Sequence, residues 1–468
     1  MPPETGTVSY TPGQSGTASR SVLAISTAVA ALAGFLFGYD NIVISGAIGY
    51  LAIYYRLSSM AVGWAAACAL LGCLLGSAVS GSLADKFGLK KALYGCAACF
   101  AFSSLGVWAA GSFQQYIAFR ILGGVGIGAA SIVAPMYIAE ISPAAVRGRL
   151  VILYQLGIVL GILAAVSVNT IIQKAGTTAW NSEMGWRWMF AAAGLPALLF
   201  ALAIALSHES PRWLMKVNRV GEANLVLSLI NGPTIGADEG EAIRRFLAEE
   251  KGSWRELLSP AVRPPLIMGF ILAAFSQASG ITALLSFLPE IFKSAGQNSS
   301  DAFLQSVLVG VVNLLFTLLA IVLVDRAGRK ALILTGTAIQ TTALAFAGAI
   351  YFTTSHGLVV LLSLMLFVAG HAIGNGAVCW VIISEVFPNK IRGAAMSVAI
   401  TAIWIFAYFA NQFFPWMQEY LGSSGTFFFF SSMAALNFLY VWKAVPETKG
   451  YSLEEIGHIW LISEDRKK

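Results

Sequence analysis

The chain has 468 residues, of which 57% are hydrophobic and only 11% carry a charge. Because a soluble globular chain carries about 25% charged residues, this composition excludes an ordinary soluble domain and predicts a protein that crosses a membrane several times. The net charge of +6 does not indicate nucleic-acid binding, because the basic residues lie in short loops between apolar runs. The five cysteines all lie inside apolar runs, so no disulfide framework is predicted.

Twelve apolar runs are long enough to cross a bilayer, which takes roughly 20 apolar residues in a helix. We therefore predict an all-α membrane protein with twelve transmembrane helices in two pseudo-symmetric halves of six. In chain order, the predicted spans are residues 22–53, 60–84, 92–110, 114–139, 150–173, 186–207, 264–292, 303–324, 331–352, 358–384, 394–418 and 425–445.

A polar stretch separates the two halves and carries short helical patterns near residues 221–230 and 239–250. The first residues are rich in Gly, Ser, Thr and Pro, which predicts a disordered tail. The predicted regions are a tail (1–20), an N-terminal half (21–207), a cytoplasmic linker with short helices (208–263), a C-terminal half (264–446) and a C-terminal tail (447–468).

The distribution of basic residues predicts the orientation, because cytoplasmic loops carry an excess of Lys and Arg. If both termini are cytoplasmic, only Arg56, Lys174, Arg187 and Lys293 of the 29 basic residues lie in outside loops, and Arg120 lies within a span. The other 24 then lie on the inside. We therefore predict that both termini are cytoplasmic.

The two halves repeat three loop motifs, each at the same place in its half. The pairs are residues 85–91 (DKFGLKK) with 325–330 (DRAGRK), 140–148 (EISPAAVRG) with 385–393 (EVFPNKIRG), and 209–212 (ESPR) with 446–448 (PET). Halves repeated about an axis along the membrane normal are typical of transporters that rock around a central site.

Asp40 is the one charged residue in the first apolar run. An ionised carboxylate at that depth costs at least roughly 2.5–3.5 kcal/mol, so it is a functional candidate with a partner to be found. Arg120 is the only basic residue in the interior of a span of the first half and is the natural partner. A conformational change that alters their contact would load or release a proton, because pairing favours the charged carboxylate and burial disfavours it. The alternative is a permanent ion pair that only orients the two helices.

Residues 123–128 (GGVGIG), which follow Arg120, look superficially like a phosphate-binding loop. They lie within a span and follow no strand, so close helix packing is predicted instead.

The loop motifs place acids and bases together at the predicted cytoplasmic helix ends, where Arg and carboxylate groups can pair with fixed geometry. A network of such pairs between the halves would hold the inside closed; the alternative is that the charges only set the topology and are solvated. The predicted gate residues are Asp85, Lys86, Glu140, Arg147, Glu209, Arg212, Asp325, Arg326, Arg329, Glu385, Arg392 and Glu447.

Amide, hydroxyl and aromatic side chains within the spans could bind a small polar solute, since amides and hydroxyls both donate and accept and aromatic rings cover apolar C–H surface. For each of them the alternative is a helix–helix hydrogen bond or core packing. The candidates are Phe37, Gln155, Ser276, Gln277, Thr282, Asn313, His371, Asn375, Trp380 and Trp404. His371 could bind the ligand or titrate, or it could be a neutral histidine bonded to a main-chain carbonyl.

These motifs together resemble the sugar porters of the major facilitator superfamily, which include proton-coupled xylose and galactose symporters and facilitative glucose transporters. The stretches that carry the resemblance are residues 34–47, 85–91, 120–128, 135–148, 155–161, 185–190, 209–214, 325–330, 380–393 and 446–450. The resemblance implies sugar contacts for Phe37, Gln155, Gln277, Asn313, Trp380 and Trp404. It also favours symport, because proton symporters of this family keep an acid at the position of Asp40 where facilitators often have an amide.

The chain departs from the family pattern at several positions. Ser276, Thr282 and Ile403 replace polar residues that are common there, which makes the C-terminal pocket more apolar and leaves a pentose, deoxysugar, polyol or other small polar solute open beside a hexose. Lys86 stands where an arginine is usual, and the sixth span has no glutamate after Phe190. Proton coupling would then rest on Asp40 and Arg120 alone.

We therefore predict a secondary active transporter that moves a monosaccharide or related polyol with a proton by alternating access. An uncoupled uniporter and a membrane-bound sugar sensor are the alternatives. An enzyme is not predicted, because no paired catalytic acids, nucleophile–base signature, metal-ligand cluster or ATP-binding loop is present. The predicted partners are the solute, the proton and the lipid bilayer, with no cofactor, metal or nucleic acid. A monomer in the inner or plasma membrane is expected.

Overall fold

The computed structural model describes residues 20–142, 147–232, 262–352, 357–376, 378–387 and 392–447, together with residues 236, 240, 241, 243–245 and 259. In this part of the chain, twelve helices are long and apolar enough to cross a membrane. The predicted number of spans is therefore confirmed. Helices dominate because a backbone in hydrocarbon must satisfy all its hydrogen bonds internally.

The first half contains spans one to six, and the sixth is assembled from several short helical pieces. Its helices are α1 (Arg20–Ile42), α2 (Ile44–Tyr55), α3 (Ser59–Phe87), α4 (Leu89–Ala109), α5 (Phe113–Ile141), α6 (Arg147–Ala175), α7 (Thr178–Trp180), a π-helical turn (Asn181–Gly185), α8 (Trp186–Ala191) and α9 (Gly194–Leu206). Span one consists of α1 and α2, which are interrupted only at Val43.

The linker begins with α10 (Pro211–Lys216) and α11 (Val220–Asn231). Helix α11 coincides with the short helix predicted near residues 221–230. The second predicted linker helix is described only at residues 240, 241 and 243–245, which are helical. The predicted tails lie outside the described residues, apart from their positions nearest the spans.

The second half repeats the arrangement. Its helices are α12 (Arg263–Ala278), α13 (Ile281–Ser286), α14 (Leu288–Ser294), α15 (Ser299–Ala327), α16 (Arg329–Ile350), α17 (Gly357–His371), a π-helical turn (Ala372–Gly376), α18 (Val378–Val386), α19 (Arg392–Tyr420) and α20 (Gly422–Ala444). Span seven is broken at Gly280, whose positive φ of 84° suits glycine.

Small residues allow the helices of the first half to pack closely. A Cβ atom at Gly124 of α5 would lie 1.9 Å from the main-chain oxygen of Ala69 in α3, and one at Gly128 would lie 2.0 Å from that of Cys73. The GGVGIG stretch is therefore a helix-packing surface, as predicted. Without a hydrophobic driving force between helices in lipid, this close backbone approach contributes much of the packing energy.

Replacing Gly124 with alanine is expected to lower the melting temperature, because the added methyl group meets backbone that cannot move aside. Overpacking of this kind costs about 1–3 kcal/mol. Thermal unfolding in detergent measures the effect. Gly95→Ala in α4 is the matched control, since no atom lies within 4 Å of its added carbon. Equal melting temperatures for the two variants would contradict the packing argument.

Consecutive spans alternate in direction, so the loop motifs at Asp85, Glu209 and Glu447 share one end of the bundle, called here the charged end. At the opposite end, polar contacts join the two halves. Thr170 Oγ1, which donates to the carbonyl of Val166 in its own helix at 2.7 Å, lies 3.2 Å from the carbonyl oxygen of Phe303, and Gln412 Nε2 donates to the carbonyl of Met60 at 3.0 Å. The described structure is therefore closed at the opposite end.

Candidate functional site

Asp40 and Arg120 form a buried ion pair between α1 and α5. Arg120 Nη1 donates to both carboxylate oxygens at 3.0 Å, and Nη2 donates to the main-chain carbonyl of Asp40 at 3.1 Å. Asp40 is 4% exposed and Arg120 is 1% exposed. The predicted contact is present, and Arg120 donates hydrogen bonds to both the side chain and the backbone of Asp40.

The surroundings of the pair are mostly apolar. The ring of Phe190 lies 5.0 Å from the guanidinium carbon of Arg120, and Tyr116 beside it is fully buried and donates to the carbonyl of Ala65. Arg120 Nε has no hydrogen-bond partner among the described residues. Each member of a buried ion pair in such surroundings depends on the other, because removal of one leaves the other as an uncompensated buried charge.

Two of the three predicted sugar-contacting aromatic residues meet between the halves. The rings of Phe37 in α1 and Trp404 in α19 are 5.8 Å apart, and Trp380 packs against the same hydrophobic cluster. Trp404 is 4% exposed, and its Nε1 has no hydrogen-bond partner within the described residues. An unpaired indole N–H beside the ring of Phe37 offers both a donor and a ring face to a sugar.

The polar candidates of span seven meet at the break in that helix. Gln277 precedes Gly280 and Thr282 follows it, and Thr282 Oγ1 donates to Gln277 Oε1 at 2.7 Å. Both side chains are half-buried. Broken helices near the middle of a transporter are typical places for substrate-binding groups.

The remaining candidates are placed on separate helices. Gln155 of α6 and His371 of α17 are half-buried, and Asn313 of α15 is 7% exposed. Nδ1 of His371 has no partner in the described part of the chain, and the π-helical turn begins at the next residue. Asn375 in that turn accepts a hydrogen bond from Asn437 at 3.3 Å.

At the charged end, two carboxylates cap helices within their own halves. Glu209 accepts the main-chain N–H of Lys90 at the start of α4, at 3.1 and 3.3 Å. Glu447 accepts those of Arg329 and Lys330 at the start of α16, both at 3.0 Å. A carboxylate at a helix N-terminus satisfies free N–H groups and complements the helix dipole.

Other gate candidates of the first half have local partners. Lys216 Nζ lies 2.8 Å from Asp85 Oδ1, Ser210 donates to Glu140, and Lys86 lies over the ring of Phe87. Arg212, Arg326 and Arg329 are described and engaged in interactions. The side chains of four further candidates lie outside the described residues, namely Arg147, Asp325, Glu385 and Arg392.

Comparison with known proteins places this chain in a family. Residues 26–460 match the family described as "Sugar (and other) transporter". The chain belongs to this sugar transporter family. The arabinose-proton symporter of Bacillus subtilis (strain 168) is 38% identical over 442 residues, covering 94% of this chain and 95% of that relative. The D-xylose-proton symporter of Escherichia coli (strain K12) is 37% identical over 466 residues, covering 93% and 95%.

Solved structures of the Escherichia coli xylose transporter share the fold of this sugar transporter. A partially occluded inward-open conformation matches with a TM-score of 0.84 at 35% identity, covering 92% of this chain and all of the other. A complex with 6-bromo-6-deoxy-D-glucose matches with a TM-score of 0.78 at 36% identity. The predicted major facilitator fold is therefore confirmed.

Sequence reasoning missed several contacts of the sugar transporter. Glu209 and Glu447 were predicted as gate residues, and their helix-capping bonds to main-chain N–H groups were not foreseen. The sequence carried a signal, since each capped helix begins directly after a glycine, Gly88 or Gly328, that is repeated in the two halves. Both glycines have positive φ in the structure. Asn169 was also missed; its Nδ2 donates to the carbonyl of Val43 at 3.1 Å.

Replacing Glu209 with alanine is expected to destabilise the sugar transporter, because the start of α4 loses its carboxylate. Loss of such a cap costs about 0.5–2 kcal/mol. Thermal unfolding in detergent should show a lower melting temperature for Glu209→Ala than for Glu222→Ala. Glu222 is the control because it is exposed and pairs with Arg219, three residues earlier, in a surface ion pair that contributes little. A loss as large in Glu222→Ala would refute the capping role.

Proposed function

We propose that this sugar transporter is a secondary active symporter that carries a monosaccharide or related polyol together with a proton by alternating access. The observation that carries the proposal is the buried Asp40–Arg120 pair beside the aromatic cluster that joins the halves. Two relatives that cover nearly the whole chain are named proton symporters of arabinose and xylose, which supports the same activity here.

Proton loading acts on the pair in a defined way. An ionised Asp40 accepts both bonds from Nη1 of Arg120, whereas a protonated Asp40 has no charge to hold the guanidinium. The proton therefore weakens the tie between α1 and α5. Release of the proton restores it, so the two protonation states favour different helix arrangements.

The substrate site lies where the halves meet at mid-depth. Phe37, Trp380 and Trp404 cover the C–H face of the sugar, and Gln155, Gln277, Thr282, Asn313 and His371 supply its hydrogen bonds. Phe287 stacks on Phe414 with ring centroids 4.9 Å apart, so these two side chains of the C-terminal half pack against each other. The smaller number of polar side chains in this half suits a solute with few hydroxyl groups, and a pentose is the first candidate.

The charged end is the cytoplasmic face in this proposal, and both termini are cytoplasmic. The predicted gate residues hold that face closed when the opposite end opens, through pairs between Arg and carboxylate groups of the two halves. Excess Lys and Arg at this end supports the orientation. The chain has no proposed catalytic activity and works as a monomer in the cell membrane.

Uptake in reconstituted vesicles tests the proposal. Labelled arabinose, xylose, glucose and a polyol are offered with and without an inward pH gradient. We expect accumulation of one solute above equilibrium, abolished by an uncoupler. If the solute only equilibrates across the membrane and the pH gradient has no effect, the protein is a uniporter. Absence of uptake for every solute would refute the proposed substrate class.

A further inference from the structure

The interruption of span one at Val43 is held by side chains from two neighbouring helices. Helix α1 ends at Ile42 and α2 begins at Ile44, while Val43 keeps helical dihedral angles (φ −53°, ψ −31°) and its N–H donates to the carbonyl of Tyr39 at 2.8 Å, so the chain continues through it as one span. On one side, Arg120 Nη2 donates to the carbonyl of Asp40, three residues before the interruption. On the other side, Asn169 Nδ2 of α6 donates to the carbonyl of Val43 itself.

Asn169 is built into this position. It is 1% exposed, and its amide lies directly against α2, since a Cβ atom at Gly46 would come within 2.5 Å of Asn169 Cγ and Nδ2. Only glycine at position 46 leaves room for the amide. Asn169 Oδ1 is buried without a hydrogen-bond partner among the described residues, so the side chain forms its one polar contact with the backbone of span one.

Helix α2 beyond the interruption carries contacts to the other half. A Cβ atom at Gly49 would lie 2.3 Å from Glu290 Oε1 of α14, so the carboxylate rests against the backbone of α2. Glu290 also binds Lys293, whose Nζ lies 5.6 Å from the ring centroid of Tyr50 and 5.8 Å from that of Phe303. The position of α2 therefore determines closure of the end opposite the charged end.

We propose that Asn169 is a positioning residue that holds the Val43 interruption in the closed arrangement, and that its bond is released when α2 swings away from α14 and that end opens. The interruption then acts as a hinge, with the Asp40–Arg120 pair on one side of it and the contact between the halves on the other. This inference rests on the alternating access of the proposed function. It assigns a conformational role to a residue outside the proton pair and the substrate site.

The bond energy sets the size of the expected effect. One buried hydrogen bond contributes a net amount that corresponds to about a two- to tenfold change in an equilibrium constant. Loss of the Asn169 donor should raise the ratio of open to closed molecules by that factor, because the bond is present only in the closed arrangement.

The test is a distance measurement between spin labels at Ser58→Cys and Ser299→Cys, which are exposed positions on the two halves at the end opposite the charged end. Cys99 is replaced by serine, and the other four cysteines are buried. Pulsed electron resonance on the full chain in nanodiscs, without sugar, gives the ratio of long to short distances. This readout requires neither a substrate nor a proton gradient.

Asn169→Leu, which keeps the side-chain volume and removes the donor, is expected to raise the ratio two- to tenfold. Gly46→Ala should also raise the ratio, because the added methyl group on α2 displaces the amide of Asn169 on α6. Ser167→Ala is the control, since that hydroxyl donates to Leu163 within α6. A purely structural role would lower the melting temperature and leave the ratio unchanged.

The proposal is overturned if both Asn169→Leu and Gly46→Ala give the ratio of Ser167→Ala. The distance ratio and the sugar-uptake assay test the two proposals independently. A shifted ratio with no sugar uptake would remove the substrate assignment alone, whereas proton-driven uptake with an unshifted ratio would remove the hinge role alone.

Discussion

Replacing Asp40 with asparagine is expected to abolish proton-driven accumulation of the sugar while sugar exchange across the membrane continues. Asparagine keeps the size of the side chain and one oxygen for Arg120, but it cannot bind or release a proton. With one proton per sugar, an inward gradient of one pH unit supports about tenfold accumulation. We therefore expect the accumulation ratio to fall from about ten to one.

Two assays separate coupling from folding in this variant. Counterflow measures exchange without a proton gradient and should be retained by Asp40→Asn, whereas gradient-driven uptake should be lost. Asp301→Asn is the matched control, because Asp301 is an exposed carboxylate at the start of α15. Accumulation by Asp40→Asn equal to that of the control would remove Asp40 from the coupling mechanism.

Replacing Arg120 with methionine is expected to cause the largest loss of stability of any single change considered. The substitution leaves the Asp40 carboxylate buried without its cation and removes the bond to the Asp40 carbonyl. Breaking a buried pair in this way costs about 3–5 kcal/mol. Thermal unfolding in detergent should show the loss as a clear fall in melting temperature and in yield of folded protein.

A double variant and a second arginine test this explanation. Asp40→Leu with Arg120→Met removes both charges and should recover much of the lost stability, since an apolar pair in place of a buried ion pair is often neutral. Arg187→Met is the matched control, because Arg187 is also buried but donates to the carbonyls of Trp108 and Ala110, and it forms no ion pair within the described residues. No recovery in the double variant would show that the unpaired carboxylate is not the cause.

The fold and the proton pair could be predicted from the sequence because their signals are local or unique. Each span is a continuous apolar run, and a single bilayer thickness fixes its length. Asp40 and Arg120 could be paired without a structure because each is the one charge of its kind in the interior of the predicted spans of the first half, whereas Arg187 lies at the edge of the sixth. The GGVGIG packing surface was also predictable, since small residues at close spacing have few other roles inside a membrane.

The partners of repeated and uncharged polar residues were not predictable in the same way. The motifs placed Glu209 and Glu447 at the charged end, but they did not distinguish a pair with an arginine from a cap on a helix of the same half. The choice depends on where α4 and α16 begin in space relative to those carboxylates. The sequence spacing of 119 residues between Lys90 and Glu209 carries no such information.

The amino-acid sequence by itself therefore determined the number of spans, the repeat of the halves and which charges meet inside the membrane. The charges were predictable because an unpaired charge buried in the membrane costs too much free energy. The tertiary structure alone decided that Phe37 meets Trp404 and that Asn169 reaches the Val43 carbonyl, 126 residues away. Many neutral polar side chains can satisfy one free carbonyl at similar energy. Only the packing of α1 against α6 selects the residue that does.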